Sequence, residues 1–427
     1  MKLETPENDS YAAVVVALPE PVTLAGLDNL VGIPVLGHNA LTQKGKSAGE
    51  LVIAFTAETQ LSDRYAYENN LFRHTHLNKV QDPEQAGYLE DNRRVKAIRL
   101  RGHASNALLM PLESVAYTGV DVSEFREGDK FDTLNGFSIC NKYEIVEKGS
   151  AFPAGKSAVE RAFKRVTDKV FPEHLKTDQY ARNKHRLDDR REVVVTQKLH
   201  GTSIRVGNVP VLRQKGRVEK FLNRWFPTSD YTFDMVYGSR RAIKDANNPA
   251  QEHFYDTDVW TTEGAKLNGL LPEGYIVYGE LIGWVGDAAI QRGYTYDVPK
   301  GDAHLYVYRV AVVNGQGYLT DLSWDSVREF CATRGLKHTP ELFRYFGSDA
   351  APLDDIVALW MDERYADNVV AWIDPPVPLS DKKTVDEGIC LRQEGIVPTI
   401  LKAKSAKFLE HETKQLDKGV ADLESVA

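Results

Sequence analysis

The strongest constraint on this chain is a series of short, β-branched apolar runs that recur through its second half. Glu192–Gln197 reads EVVVTQ, Tyr275–Ile282 reads YIVYGELI and His304–Val313 reads HLYVYRVAVV; Gly388–Arg392 and Val397–Lys404 follow. Runs this short and this rich in Val, Ile and Tyr favour strands, because branched and aromatic side chains pack well on a pleated surface. Between and after them, Leu322–Thr333 and Leu353–Asp362 look helical, and Ser405–Lys418 reads as a polar closing helix.

Residues 11 to 150 form a separate β-rich stretch. Tyr11–Leu18, Gly49–Phe55, Val95–Leu100 and Ala107–Met110 are parted by Gly, Pro and Asn/Asp turns, a pattern that suggests a small barrel or sandwich. Composition then shifts. Across 156–191 eleven Lys and Arg face six Asp and Glu in a chain whose net charge is −8. Val159, Phe163, Val166 and Val170 have helical spacing there. The stretch is either a solvated linker helix or an electrostatic footprint for a phosphate backbone. The expected organisation is therefore 1–150, a basic helical linker at 151–191, and a main domain at 192–427. No apolar run reaches the ~18 residues needed to span a bilayer, and Met1–Ser10 lacks the basic-then-apolar pattern of a signal peptide. Cys140, Cys331 and Cys390 are odd in number and far apart. They exclude a disulfide framework, fit a reducing cytoplasm, and form no zinc-type cluster with His.

The chemistry centres on Gln197-Lys198-Leu199-His200-Gly201-Thr202-Ser203, where a strong strand runs into a lysine and a second strand begins after a glycine. A lysine at that strand end points into whatever cleft lies above it. Further on stand Gly279-Glu280, at the end of an apolar strand, and Tyr306-Val307-Tyr308. Asp386-Glu387-Gly388 and Leu401-Lys402-Ala403-Lys404 come last. The last two lysines share one strand face because strand faces repeat every two residues. Each element alone is more often structural than functional; all of them in this order are hard to explain by chance.

In this order and spacing the chain resembles the covalent nucleotidyltransferases, the superfamily of ATP-dependent ligases and mRNA capping enzymes, and within it the RNA ligase 2-like group. Lys198-Leu-His-Gly is similar to the family's nucleophile motif, more often Lys-x-Asp-Gly. Ser239-Arg240 is similar to its short Ser-Arg motif, and Gly279-Glu280, Tyr306–Arg309, Glu387-Gly388 and Leu401–Lys404 to the motifs that follow. The resemblance covers about residues 190–412. Less specifically, Ile98–Gly102, Ser105, Leu108–Pro111, Gly128-Asp129 and Lys142–Glu144 resemble the OB-type domain that precedes the catalytic domain in one ligase branch.

The resemblance implies an α+β chain: an amino-terminal OB-like β-barrel, then a nucleotidyltransferase (ATP-grasp-like ligase) domain of antiparallel sheets flanked by helices. It implies ATP and Mg²⁺ or Mn²⁺ as cofactors and RNA ends as partner, either nicked duplex or single-stranded. A cytoplasmic monomer without membrane association is expected. The implied catalytic set is Lys198, His200, Arg240, Lys402 and Lys404. Thr202, Arg240, Glu280 and Tyr308 join Lys198, Lys402 and Lys404 in nucleotide binding, and Glu387 and Glu280 are the metal candidates. The chemistry is consistent with this. A lysine that attacks the α-phosphate must be neutral although its ordinary pKa is ~10.4, and neighbouring positive charge lowers it.

Two placements have alternatives in the sequence. Glu387 and Glu394 both precede Gly-Ile, but only eight residues separate Glu394 from Lys402 and fifteen separate Glu387 from it. A strand, a turn at Gln393–Gly395 and a return strand need the longer interval. Arg213 and Arg217 lie nearer Lys198 than Arg240 does, but Lys215–Tyr231 reads as an insertion with its own amphipathic helix (Phe221, Leu222, Trp225, Phe226), and Ser239-Arg240 fits better. The resemblance puts the family's aromatic, next to its Asp, on Tyr308, which is therefore preferred to Tyr306 for stacking on the purine. Two departures from the family pattern stand out: Arg309 where many relatives have an acid, and His200 for the commoner Asp. Arg93, Arg94, Lys96, Arg99 and Arg101 either grip RNA or are solvated strand-edge charges. The rival functions are a DNA ligase, a capping-type enzyme, or an inert RNA-binding protein on the same fold.

Overall fold

The computed structural model describes residues 3–145, 165–213, 215–223, 225, 229–244, 257–347, 351–361, 379 and 385–419. Two sheets dominate the second half. The larger runs in the order Ile243–Lys244, Tyr231–Gly238, Thr202–Leu212, Tyr275–Val285, Ala303–Val313, Leu319–Asp321; Ala288–Ala289 and Lys337–His338 are added at its side. The smaller runs in the order Asp178–Gln179, Thr399–Lys404, Gly388–Gln393, Val193–Lys198, Glu341–Tyr345. Pairing is antiparallel except at Asp178–Gln179 and Lys337–His338.

Alternation along the strands decides what each face meets. On the smaller sheet Val193, Val195, Ile389, Leu391 and Leu401 pack against Val357 and Trp360 of the helix Leu353–Met361. Thr196, Lys198, Cys390, Arg392 and Ile400 project from the other face and line a cavity shared with the larger sheet. On the larger sheet Ile204, Val206, Val277, Leu281, Val307 and Val310 pack under the helices Val259–Ala265 and Trp324–Arg334. The opposite face carries Tyr278, Ile276 and Ala311, with Val166 and Phe171 beneath them. The hairpin between the last two strands pairs Gly388 with Lys404 and Gln393 with Thr399, so the turn begins at Glu394 as the spacing requires. Ser405 caps the closing helix Ala406–Asp417 by accepting the Phe408 N–H.

Part of the expected linker helix, residues 159–164, lies outside the described residues. Residues 165–170 are not helical. From Val166 onward the segment is built into the second half, through its core and through the edge strand Asp178–Gln179.

The amino-terminal strands form a four-stranded sheet (Lys130–Phe131, Ala13–Ala17, Leu51–Thr56, Ala107–Pro111), a three-stranded one (Val22–Thr23, Leu30–Val35, His38–Gln43) and separate pairs. Among the described residues these do not close into a barrel, so the OB-like barrel expected from the sequence is an open arrangement of small sheets here. Between the His38–Gln43 and Ala107–Pro111 segments, Asn106 donates its N–H to the Asn39 carbonyl and accepts the Asn39 N–H on its side chain.

The basic stretch 93–101 is largely turned inward. The Arg94 side chain is fully buried and bonds Glu58 at 3.0 Å, the Thr413 carbonyl at 3.2 Å, and Asp417. Lys96 meets Asp417 at 3.0 Å and Arg99 meets Glu410 at 2.8 Å. Arg93 is held by Asp63 and the Leu61 carbonyl, and Arg101 by the Gly26 carbonyl. Three of the five thus bind the closing helix, and none of the five is without a protein partner. At the opposite junction Arg182 bonds the Asp9 and Ala12 carbonyls and the Thr56 hydroxyl.

Candidate active site

The strand Val193–Lys198 ends in a turn whose backbone is held on every side. His200 donates its N–H to the Tyr296 hydroxyl (2.8 Å), Gly201 donates its N–H to Glu280 Oε1 (3.1 Å), and the Gly201 carbonyl accepts from Gln291 Nε2 (2.9 Å). Burial raises the Tyr296 phenol well above its ordinary range, so the hydroxyl stays uncharged. Gly201 is required by close approach: a Cβ there would sit 2.1 Å from the Leu281 carbonyl oxygen. Glu280 also accepts the Ser203 hydroxyl at 3.2 Å. It therefore serves as an anchor of the turn, although the sequence also suggested it as a metal ligand.

Lys198 projects from this fixed turn with little exposure. Its Nζ lies 2.8 Å from Glu387 Oε1. Lys404 Nζ lies 3.6 Å from the same oxygen and 2.9 Å from Glu412 Oε1, and His200 Nδ1 lies 3.7 Å from Glu387 Oε2. Two ammonium groups and an imidazole therefore converge on one carboxylate that is 1% exposed. Glu387 is placed by its own backbone, which accepts the Ser405 N–H at 3.0 Å, and by Ser405 Oγ on the Asp386 carbonyl. Gly388 follows at φ 153°, where a Cβ would meet the Ala403 carbonyl at 2.0 Å. The His200 ring stands edge-on to Tyr294 and to Phe408 of the closing helix, at 4.7 and 5.1 Å between centroids. His411 of the same helix has its pKa lowered by burial and by the neighbouring His200.

Above Lys198 lies a cavity of about 830 Å³, part of it open to solvent, between the two sheets. Lys198, Ser203, Arg240, Glu280 and Tyr308 stand in its wall. Arg240 is in the Arg240-Arg241 tip of a tight hairpin, closed by Ser239 N–H on the Ala242 carbonyl and Ala242 N–H on Ser239 Oγ. Tyr308 is the extra residue of a bulge: Tyr306 pairs with Glu280, Val307 with Gly279 and Arg309 with Tyr278. The bulge lets Tyr308 and Arg309 both reach the cavity. Tyr308 also hydrogen-bonds His174. Arg309 replaces an acid only nominally, since Asp321 on the adjoining strand takes its guanidinium.

The structure does not gather every expected residue here. Thr202 is buried on the Ile204/Val206 side of its strand, away from the cavity, and Ser203 occupies the cavity side. The apolar alternation Ile204, Val206 was the signal that would have placed it. Lys402 and Lys404 line a second, larger cavity at the junction with the amino-terminal region, and Lys404 alone of the two contacts Glu387. Ile400, on the same strand face, reaches the first cavity. Sequence reasoning missed Ser203, Glu412, His174, Arg392 and the aromatic seat of His200; their signal lay only in tertiary proximity. In the insertion, Val218, Phe221 and Trp225 are exposed.

Among the described residues no group of three or more His, Cys, Asp or Glu side chains is arranged to hold a metal alone. The Glu387 carboxylate oxygens are buried, and the side chains that approach them are Lys198, Lys404 and His200. A single carboxylate of this kind suits Mg²⁺ or Mn²⁺ that completes its shell with water and phosphate oxygens. No helix among the described residues is long and apolar enough to cross a membrane.

A family model described as RNA ligase matches residues 191–407, more than half of the chain. No curated protein sequence matches. Among solved structures, a Naegleria gruberi RNA ligase mutant with AMP and Mn is similar at TM-score 0.57 and 16% identity, covering 93% of this chain and 98% of that one. A mutant of that ligase with ATP and Mn gives 0.55 and 16%, covering 95% and 99%. The form with PPi gives 0.57 and 14%, covering 94% and 98%. At these identities the likeness is one of fold.

Proposed function

This chain belongs to the RNA ligase family, and from that premise we propose an ATP-dependent ligase in which Lys198 is the nucleophile that joins 5′-phosphate to 3′-OH RNA ends. Lys198 Nζ attacks the α-phosphorus of ATP, pyrophosphate leaves, and a lysyl-N–AMP bond forms. A 5′-phosphate oxygen of RNA then attacks that phosphorus and frees the lysine. The adjacent 3′-OH attacks the activated 5′ phosphorus and AMP departs. The observation that carries the reading is the buried meeting of Lys198, which lines the cavity between the two sheets, with Lys404 and Glu387.

Each residue has a task that its surroundings support. Glu280 holds the Lys198–Gly201 turn so that Nζ meets the cavity in one geometry. Lys404, backed by Glu412, and Arg240 offer positive charge where negative charge moves onto the leaving group. Tyr308 faces the base and His174 fixes its hydroxyl. His200, seated between Tyr294 and Phe408, is placed to orient phosphate in the later steps. Glu387 would hold the divalent ion, whose charge would neutralise phosphate oxygens and weaken the carboxylate's grip on the Lys198 proton. We read the amino-terminal region as an OB-like RNA-binding unit whose first task is to brace the closing helix. The substrate is RNA with broken ends, nicked duplex included, and the three cysteines, far apart in sequence, fit a reducing cytoplasm.

The test is incubation of the full chain with α-labelled ATP and Mg²⁺ or Mn²⁺. An acid-stable labelled band is expected, absent in Lys198→Ala and not rescued by Lys198→Arg, because arginine stays charged. A labelled Lys198→Ala protein would refute the nucleophile. Labelling by GTP alone would favour a capping-type enzyme, and no labelling with intact RNA binding would favour an inert binder.

A further inference from the structure

The wall of the first cavity holds two buried guanidinium groups that the reaction scheme leaves unused. The Arg309 side chain is 2% exposed, lies over the Tyr278 ring at 4.4 Å, and gives Nε and Nη2 to Asp321. The Arg392 side chain is 3% exposed and gives Nε to Glu394 at 2.9 Å and Nη2 to the Leu322 carbonyl at 2.6 Å. In each case Nη1 is buried and has no hydrogen-bond partner among the described residues, and both residues line the cavity. Thr339 joins them there with an equally unpartnered, buried hydroxyl.

The charges on these two arginines are already answered. Each carries a carboxylate partner, so what it offers the cavity is a directed N–H donor with little net charge. Such a donor suits a neutral heteroaromatic nitrogen better than a phosphate, which Lys198 and Arg240 in the same wall can serve. The surroundings agree: Leu175, Trp324, Cys390 and Ile400 give this cavity apolar walls fit for a flat ring. A purine presents ring-nitrogen acceptors at its edge, and a buried donor left without an acceptor is costly.

We propose that Arg309 and Arg392 are specificity-determining residues that read the ring nitrogens of the purine by donating Nη1–H to them. The proposal rests on the nucleotide-binding reading of this cavity. It also accounts for the acid-to-arginine departure at position 309: the acid persists at Asp321, and the arginine it holds faces the base.

The test is calorimetric binding of AMP and of its 1-deaza, 3-deaza and 7-deaza analogues to the full-length protein. Each analogue replaces one ring nitrogen by C–H and leaves phosphate and ribose unchanged. At least one should bind tenfold or more weakly than AMP. In Arg309→Lys or Arg392→Lys that penalty should shrink below threefold, because lysine keeps the ion pair but its single nitrogen, held at the carboxylate, cannot also reach the ring as a separate Nη1 does. AMP bound normally with all three analogues within threefold of it would overturn the proposal while sparing the nucleotide site. A penalty unchanged in both variants would overturn it too. Failure of AMP itself to bind would remove the nucleotide reading and this proposal together.

Discussion

Thr413→Val should uncouple the amino-terminal region from the catalytic site. Thr413 is buried on the closing helix and makes two hydroxyl bonds to the first half of the chain. It donates to Glu58 Oε1 at 2.7 Å and accepts the Ala97 N–H at 3.1 Å. Valine keeps the shape and removes both. The orphaned Ala97 N–H costs about 1–3 kcal/mol, and the lost charge-assisted bond about 1.5–3 kcal/mol. The two share one hydroxyl and do not simply add, so about 3 kcal/mol is expected. The same helix carries Phe408 against His200 and Glu412 on Lys404. Loosening it should therefore slow lysine adenylylation by roughly tenfold, on the scale expected for sub-ångström misplacement of catalytic groups.

The loss should also depend on pH. Burial pushes the Glu58 carboxyl up to about 7, against the opposing pull of Arg94 and Thr413. The folded state thus binds this proton more tightly than the unfolded chain does. The group's contribution to stability is highest below its unfolded pKa and declines as pH rises to about 7, by at most about 3 kcal/mol. Without Thr413 the folded pKa rises further, so the decline continues to higher pH and the variant's deficit is larger at about pH 8 than at about pH 5.5. Urea titration followed by tryptophan fluorescence gives the stability, and labelling from α-labelled ATP gives the rate. Wild-type midpoints at both pH values together with a wild-type labelling rate would refute the brace. The same reasoning says that removing residues 1–150 impairs adenylylation itself as well as sealing.

Glu387→Gln should cut metal-dependent labelling by about 100-fold or more, whereas Glu394→Gln should retain labelling within about tenfold and lower the thermal midpoint, since Glu394 ties Arg392 and the Trp324 N–H; the reverse order would mean the hairpin register is misread. Ser203→Ala should raise the KM for ATP several-fold by freeing Glu280, while Thr202→Val leaves steady-state kinetics near wild type. Gly201→Ala should abolish labelling, because its methyl group cannot coexist with the Leu281 carbonyl; a labelled, normally folded variant would contradict the close approach.

Much of the site is legible in the sequence where its logic is local. The interval from Glu387 to Lys402 admits a hairpin and that from Glu394 does not, and the strands pair Gly388 with Lys404 accordingly. The closing helix follows from a Ser405 cap and polar spacing. These signals survive in one dimension because a strand's period, a turn's length and a cap involve neighbours only a few residues apart.

Other features required the fold. Arg93–Arg101 reads as a basic grip until Asp417 and Glu410, over 300 residues away, claim Arg94, Lys96 and Arg99. Arg309 reads as a missing acid until Asp321 is brought beside it by strand pairing and a bulge turns it to the cavity. Whether an ionic side chain is a free surface charge, a structural brace or a donor aimed at a ligand depends on which distant group shares its low-dielectric surroundings. Only tertiary packing supplies that partner.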